Sequence, residues 1–347
     1  SSIEAIKEYS FSECSSLTEI TIPSSVASIG EGAFSKCRKL TQITIPSSIT
    51  KIEKNTFDGC LSLEQVSIPK SVNEIGSNAF NECLLLKSIT IPSIKIIENN
   101  TFSECRSLKE VTIPSSVVSI KKYSFSNCSS LERIVIPSSV LKISEYAFSL
   151  CSSLIEIIIP SSIKKLGKYV FLDCTSLQKI ELPTSIIELK RGLFSGCSAF
   201  SKLIIPYSIS TIGIHAFKGC SSLEMLSIPS TINNIKLETF CGCASLKEIR
   251  IPSSVTQIDD YAFYDCSSLE QISLPSSLQK IGKYVFGGCS SLLLVSFELT
   301  PSLTSIGWNA FDGCSSLVQI SIPSSVTEIG IAAFKGCNSL KQISIPS

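Results

Sequence analysis

The segment Cys314–Gly336 reads C-S-S-L-V-Q-I-S-I-P-S-S-V-T-E-I-G-I-A-A-F-K-G, and Cys337 opens the same phrase again. Recurrence at a fixed period of roughly 20–50 residues is the signature of stacked repeats, and it decides the architecture before any single residue does. The prolines keep time. Pro23, Pro46, Pro69 and Pro92 step by 23; Pro114 follows at 22, because a single Ser93 precedes Ile94 where other units have two residues. Steps of 23 resume to Pro275, and Pro323 comes 48 later: Glu298 stands at the expected proline position, and F-E-L-T-P-S-L carries two extra residues before Leu303. Fifteen units account for the chain up to Pro346, with Ser347 left over.

Within a unit the apolar positions are constant, as in Leu17, Ile20, Ile22, Val26, Ile29, Ala33 and Phe34. The alternation Ile20-Thr21-Ile22 closed by Pro23 predicts a short β-strand, since proline cannot continue a ladder. Val26, Ile29, Ala33, Phe34 and Cys37 fall at a spacing that a helix would satisfy, yet β-branched residues crowd its start. An extended corner followed by one tight helical turn through A-F-x-x-C is the expectation. Gly30, Gly76, Gly167 and Gly330 share a slot with Glu53, Lys121, Ser144, Lys190 and Asp259, so that slot does not demand a left-handed backbone. One unit cannot bury its own apolar face; stacked units cover one another.

The pattern L-x-x-I-x-I-P-x-S-V-x-x-I-G-x-x-A-F-x-x-C resembles the BspA-like class of leucine-rich repeats, close to the treponemal-type subclass, along the whole chain. The common leucine-rich repeat has Asn or Cys three residues after its last strand leucine. Here Ser25, Ser48, Ser116 and Ser325 stand there, and Thr231 once, so a hydroxyl ladder is expected to take over part of the asparagine's work. The resemblance implies an α/β leucine-rich-repeat solenoid, an open arc of about 15 repeats of 23 residues, with a parallel inner β-sheet and short helical turns on the convex side. Residues 1–347 read as one such domain. The chain opens on S-S-I-E-A-I, matching S-S-V-A-S-I at 24–29, and neither end reads as a capping repeat, so a fragment of a longer repeat protein is expected.

The formal net charge of +1 gives no case for nucleic acid or an anionic membrane surface. A locally basic middle (Lys164, Lys165, Lys168, Lys179, Lys190, Arg191, Lys202) reads as solvated loops. No apolar run approaches the roughly 18 residues that would span a bilayer, so no direct membrane insertion is expected in this segment.

Fifteen of the sixteen cysteines share one repeat position. A line of thiols, one per rung at about 4.8 Å, cannot converge on tetrahedral zinc, so the column reads as small buried hydrophobes. Cys241 falls in the slot of Ser35, Ser103 and Ser126 and is expected outside, as a reactive thiol. The single histidine, His215, occupies a slot held elsewhere by Gly32, Asn78 and Tyr146 and reads as a surface loop residue. One histidine leaves no ordinary acyl-transfer triad except around itself, and no phosphate loop, dinucleotide fingerprint or H-E-x-x-H occurs. Neither catalysis nor a cofactor nor a metal site is expected. Two sequons, at Asn99 and Asn127, are near the number chance would give. Tyr9, Tyr123, Tyr146, Tyr169, Tyr261 and Tyr284 share the slot two before each Phe; the row either docks a partner or packs half-buried over the turn, the second being preferred.

The outward slot between the two strand isoleucines is Thr or Ser in most units but reads Val135, Ile158, Glu181 and Ile204 in the middle. Ile155 and Met225 add apolar surface, and Arg133, Glu156, Lys179 and Lys202 flank it. Exposed apolar surface on a polar face marks a contact site, drift on a tolerant face being the alternative. These ten residues form the candidate partner-binding surface. A smaller patch, Leu293, Leu294 and Val318, lies beside the two-residue insertion.

The resemblance implies non-catalytic binding. The family consists largely of surface-associated proteins of mucosal microbes and protozoan parasites, implicated in adhesion to host matrix, host cells or other microbes. A cell-surface or secreted protein with a protein partner is therefore expected. The alternative, a cytoplasmic scaffold, rests on sixteen cysteines with no evident pairing, unusual in a secreted chain.

Overall fold

A computed structural model describes residues 2–299 and 301–345. Pro346 and Ser347, which close the repeat count, lie outside the described residues. The chain divides into two compact units, Ser1–Pro183 and Thr184–Ser347.

In each unit the L-x-x-I-x-I phrase supplies short strands that pair in parallel with the strand one repeat on. In the first unit Gln42–Thr44 pairs with Gln65–Ser67, Ser88–Thr90 with Glu110–Thr112, and Arg133–Val135, Glu156–Ile158 and Lys179–Glu181 form a three-stranded sheet. In the second unit a seven-stranded sheet runs from Lys202–Leu203 to Gln342–Ser344. Alternation works as read: Ile157 and Ile159 are buried and Ile158 between them is exposed. After the strand, Pro23 and its equivalents close a turn in which the Val26 N–H bonds the Pro23 carbonyl at 3.0 Å.

The corner that follows holds a second column of strands, two residues each, which the sequence reading took merely as extended chain. Ile96–Ile97, Ser119–Ile120, Lys142–Ile143 and Lys165–Leu166 form one four-stranded parallel sheet, and the five strands from Asn234–Ile235 to Glu328–Ile329 another.

The expected helical turn is absent: among the described residues there is no helix. The cause is the backbone on either side of each Phe. Asn55 (φ 57°) and Gly59 (φ 70°) flank Phe57; Tyr146 (φ 58°) and Leu150 (φ 61°) flank Phe148. The same two positions are left-handed in every repeat, and none of the residues there is β-branched. A right-handed helix cannot pass through two left-handed residues four apart. Instead the chain makes consecutive tight turns, Asp58 N–H to the Asn55 carbonyl at 3.1 Å and Cys60 N–H to the Phe57 carbonyl at 3.2 Å. The N–H groups of Asn55, Phe57 and Gly59 then point along the stack to the carbonyls of Ser77, Ala79 and Asn81, at 3.0, 2.9 and 2.8 Å. The turn side is thus a hydrogen-bonded ladder too, which satisfies its buried backbone.

The glycines of the other slot have ordinary φ, as read. They are needed for space: a Cβ on Gly76 would meet the Lys54 nitrogen at 2.6 Å.

Inside each unit the Phe side chains form a buried column; Phe34 and Phe57 stack with centroids 5.6 Å apart and planes 4° apart. Leu, Ile and Val of the strand phrase and corner fill the rest. The hydroxyl ladder is present: Ser48 donates to the Val26 carbonyl at 2.5 Å, Ser139 to Val117 at 2.7 Å and Ser254 to Ile232 at 2.6 Å. It fails at Ser325, one rung after the insertion, whose buried hydroxyl has no partner.

Candidate functional site

The candidate residues stand on or beside outward positions of parallel strands in each of the two units. In the first unit Arg133, Glu156 and Lys179 are register partners, as are Val135, Ile158 and Glu181. Register partners on neighbouring strands are about 4.8 Å apart, so each trio forms a row. Val135 is 72% exposed and Ile158 57%, while Ile155 and Glu156 are half-buried. Arg133, Glu156, Lys179 and Glu181 make no ion pair with one another, so their charges remain available. In the second unit Lys202 and Met225 are register partners; Met225 is 63% exposed and Ile204 87%. The first unit therefore brings seven of the ten residues together, and the second holds Lys202, Ile204 and Met225.

Among the exposed apolar residues that the sequence reading missed are Val118, Leu141 and, in the second unit, Ile187. Val118 and Leu141 lie on successive rungs, each directly before a two-residue strand, the Leu141 N–H bonding the Val118 carbonyl at 3.0 Å. Their slot, one after the corner Val, holds Thr50, Asn73, Asn233 and Thr256 elsewhere, so a slot-by-slot comparison would have found them.

Beside the insertion, Leu293, Leu294 and Val318 are exposed as read. Strand Leu294–Phe297 matches Gln271–Leu274 over four residue pairs, but its other neighbour, Gln319–Ser321, only at Leu294 and Gln319. A groove of about 420 Å³ opens there, lined by Leu294, Phe297, Ile320 and Pro323 among others.

All sixteen cysteines are free. Those of the column are buried in the interior rungs, where thiols also donate to the carbonyl of the Phe of the preceding rung: Cys60 to Phe34 at 3.2 Å, Cys151 to Phe125 at 3.1 Å. Burial pushes the Cys151 and Cys220 thiols up to about 12. Cys241 corrects its expectation. It is half-buried, and burial pushes its thiol up to about 11, the opposite of activation. The exposed thiol is Cys14. Among the described residues no group of three or more His, Cys, Asp or Glu is placed to hold a metal ion.

His215 is half-buried, with Nε2 3.7 Å from Glu238 Oε2, and Lys218 pairs with the same carboxylate. Desolvation lowers the imidazole's pKa, with Glu238 pulling against it. No hydroxyl or thiol is hydrogen-bonded to it. The tyrosines pack: Tyr123, Tyr146 and Tyr169 stack at 4.8 and 4.9 Å, and Tyr261 on Tyr284 at 5.0 Å, four of the five half-buried. Of the sequon asparagines, Asn127 donates its amide to Glu104 at 2.7 Å and Asn99 accepts the Lys122 N–H at 3.1 Å. Among the described residues no helix is long and apolar enough to cross a membrane.

The repeat matches the BspA type leucine rich repeat region in six copies, over residues 1–105, 74–201, 151–270, 190–314 and 256–347. Among solved structures the chain is similar to a leucine-rich repeat protein from Bacteroides ovatus, at 33% identity and a TM-score of 0.85, over 99% of this chain and 88% of that one. It is also similar to a leucine rich cell surface protein from Faecalibacterium prausnitzii, at 28% identity and a TM-score of 0.59, over 86% of this chain and 88% of that one. Its fold is shared with the pneumococcal vaccine antigen PcpA, at 21% identity and a TM-score of 0.53, over 89% of this chain and 80% of that one. No curated protein matches it.

Proposed function

Because this chain belongs to the BspA-type leucine-rich-repeat family, we propose that it is a non-catalytic protein-binding and adhesion module of a cell-surface protein. Its contact surface in the first unit is the outward strand face around Val135 and Ile158, with Arg133, Ile155, Glu156, Lys179 and Glu181 beside them; in the second unit the candidate contact residues are Lys202, Ile204 and Met225. The observation that carries this is the pair Val135 and Ile158, exposed register partners in a slot that is Thr or Ser in most repeats. Apolar side chains among unpaired charges have the composition of a protein contact rather than of a sugar groove, which would favour more aromatics.

Placement at a cell surface is supported by the likeness to the Faecalibacterium cell surface protein. The free cysteines favour the second reading, a cytoplasmic scaffold. Their burial and raised pKa values weigh against it, since a buried, protonated thiol survives an oxidising medium. For the absence of catalysis, the support is that His215 faces a carboxylate and an ammonium and has no nucleophile to activate.

Adhesion is tested by titrating the labelled chain onto immobilised extracellular-matrix proteins and onto epithelial and bacterial cells. Saturable binding to one of them, competed by unlabelled chain, is expected; binding to none would contradict the reading.

A further inference from the structure

The turn side of the second unit departs from the repeat at Tyr264. Its slot, directly after the core Phe, holds Ser35, Ser103, Ser126 and Ser149 in other rungs. Here a phenol ring meets two members of the tyrosine row edge-on: Tyr261 at 5.6 Å and 68°, and Tyr284 at 6.2 Å and 75°, while those two stack at 5.0 Å and 7°. The ring has room because the same slot one rung on is Gly287. A Cβ there would lie 3.0 Å from Tyr264 Cδ2 and 3.3 Å from Tyr284 Cδ1. Tyr264 and Gly287 thus act together to build a three-ring cluster, half-buried and open to solvent on its outer side.

The surroundings are acidic. Asp265 follows Tyr264 and is exposed; its backbone N–H donates to the Gly287 carbonyl at 2.8 Å, and its carboxylate has no hydrogen-bond or ion-pair partner among the described residues. Asp260 accepts the Lys283 backbone N–H at 2.8 Å, and Asp312 takes the Asn309 amide at 3.0 Å. The Asp265 carboxylate, and after it burial, hold the Tyr264 phenol above its ordinary pKa, with a smaller push from Asp312. The nearby cation, Lys283, is already engaged, its Nζ 4.6 Å from the ring centre of Trp308. This face therefore shows within itself an ammonium held by an aromatic ring, and beside it a second aromatic cluster with a free carboxylate and no cation.

We propose that Tyr261, Tyr264 and Tyr284 with Asp265 form a second binding site, apart from the strand-face patch, for an arginine side chain of a partner peptide. A guanidinium stacks on an aromatic ring and forms an ion pair with a carboxylate at once; a sugar ring can stack and hydrogen-bond there but brings no positive charge. With a formal net charge of only +1 the chain has no large general attraction for bases, so an arginine-selective site stands out from background.

The test uses the full chain and two synthetic eight-residue peptides, one carrying two arginines among Gly and Ser, the other two glutamates. Binding is measured by calorimetry and by the fluorescence of Trp308, the single tryptophan. The arginine peptide is expected to bind and the glutamate peptide not. Tyr264→Ser, which restores the residue of other rungs, and Asp265→Asn should each weaken binding by about threefold to tenfold. Tyr207→Ser, an exposed tyrosine elsewhere in the unit, should leave it unchanged. Circular dichroism confirms that each variant is folded. Absence of arginine-peptide binding at low salt overturns the proposal. So does binding that vanishes with salt yet ignores Tyr264→Ser, which would be diffuse charge attraction. Tyr264-dependent binding of a neutral oligosaccharide with none of the arginine peptide would assign the cluster to glycans and overturn it equally.

Discussion

The Cys60 thiol donates a hydrogen bond to the backbone carbonyl of Phe34, 3.2 Å away in the preceding rung. The same pairing recurs along both units, from Cys37 on Phe11 to Cys337 on Phe311. A cysteine in this column therefore fills a small apolar space and adds a second hydrogen bond to a buried carbonyl; that of Phe34 already accepts the Cys37 N–H at 3.1 Å.

Alkaline pH should expose this arrangement. The ordinary thiol value is 9.0, and burial pushes Cys151 and Cys220 up to about 12. Above pH 9 the unfolded chain releases protons that the folded chain retains. The stabilisation is thus complete below the unfolded value and is lost as pH rises toward the folded one. Each such thiol contributes a slope of about 1.4 kcal/mol per pH unit in that window. We expect the urea midpoint to fall steeply between pH 8.5 and pH 10.5, and less steeply when Cys128, Cys151 and Cys174 are all alanine. A midpoint flat over that range would show that the column does not behave as buried thiol. At pH 8, a thiol reagent should label Cys14 first, Cys241 and Cys337 slowly, and the thirteen buried cysteines only after unfolding.

The left-handed positions give a test of opposite sign. Leu150 has φ 61° in a slot that Gly59, Gly196 and Gly219 fill elsewhere. Leu150→Gly should stabilise the fold by about 1 kcal/mol and Leu150→Ile should destabilise it, since a side chain pays a steric cost there that glycine avoids. Thermal melts of the two variants decide; a loss of stability in the glycine variant would mean that the leucine's packing outweighs its backbone strain.

The hydroxyl ladder contains its own control. Ser139 donates to the Val117 carbonyl at 2.7 Å, whereas the buried Ser325 hydroxyl has no partner. Ser139→Ala should cost about 1 kcal/mol, and Ser325→Ala nothing or a slight gain. Equal losses at both positions would mean that the ladder bonds do not set the cost.

Much of this was legible in the sequence, and the exceptions have physical causes. Repeat length, strand phrase, buried cysteines and hydroxyl ladder all follow from strict periodicity, and the two-residue alternation placed Ile158 outside and Ile157 inside. The turn side was misread because apolar residues at i, i+3, i+7 and i+8 suit a helix and a chain of tight turns alike. The distinguishing signal lay in the slot two before each Phe, where Asn55, Asn78, Asn100 and Asn309 join Gly32 and Gly192, residues that tolerate a left-handed backbone. Tyrosines and His215 in the same slot masked it. The second strand column escaped because two residues per rung are too few to show alternation. Cys241 was misplaced because its slot is buried at Ser35, Ser103 and Ser126. For the candidate site, the sequence identified the apolar slot but not Val118 and Leu141, which directly precede strands of the other column.

We propose that the exposed apolar pair Val135 and Ile158, on neighbouring rungs, is where this chain holds its partner. Binding isotherms on the matrix protein or cell surface that the wild-type chain recognises test it most directly, with Ile158→Asp measured against Ser321→Asp. Both residues are exposed in the outward strand slot, so neither change should disturb the core, and matching circular dichroism spectra and melts verify that. A carboxylate at the centre of the contact should cost roughly 2 kcal/mol, about thirtyfold in Kd, while Ser321→Asp leaves Kd unchanged. Wild-type affinity in a folded Ile158→Asp chain would contradict the account and send the search for the contact to another face.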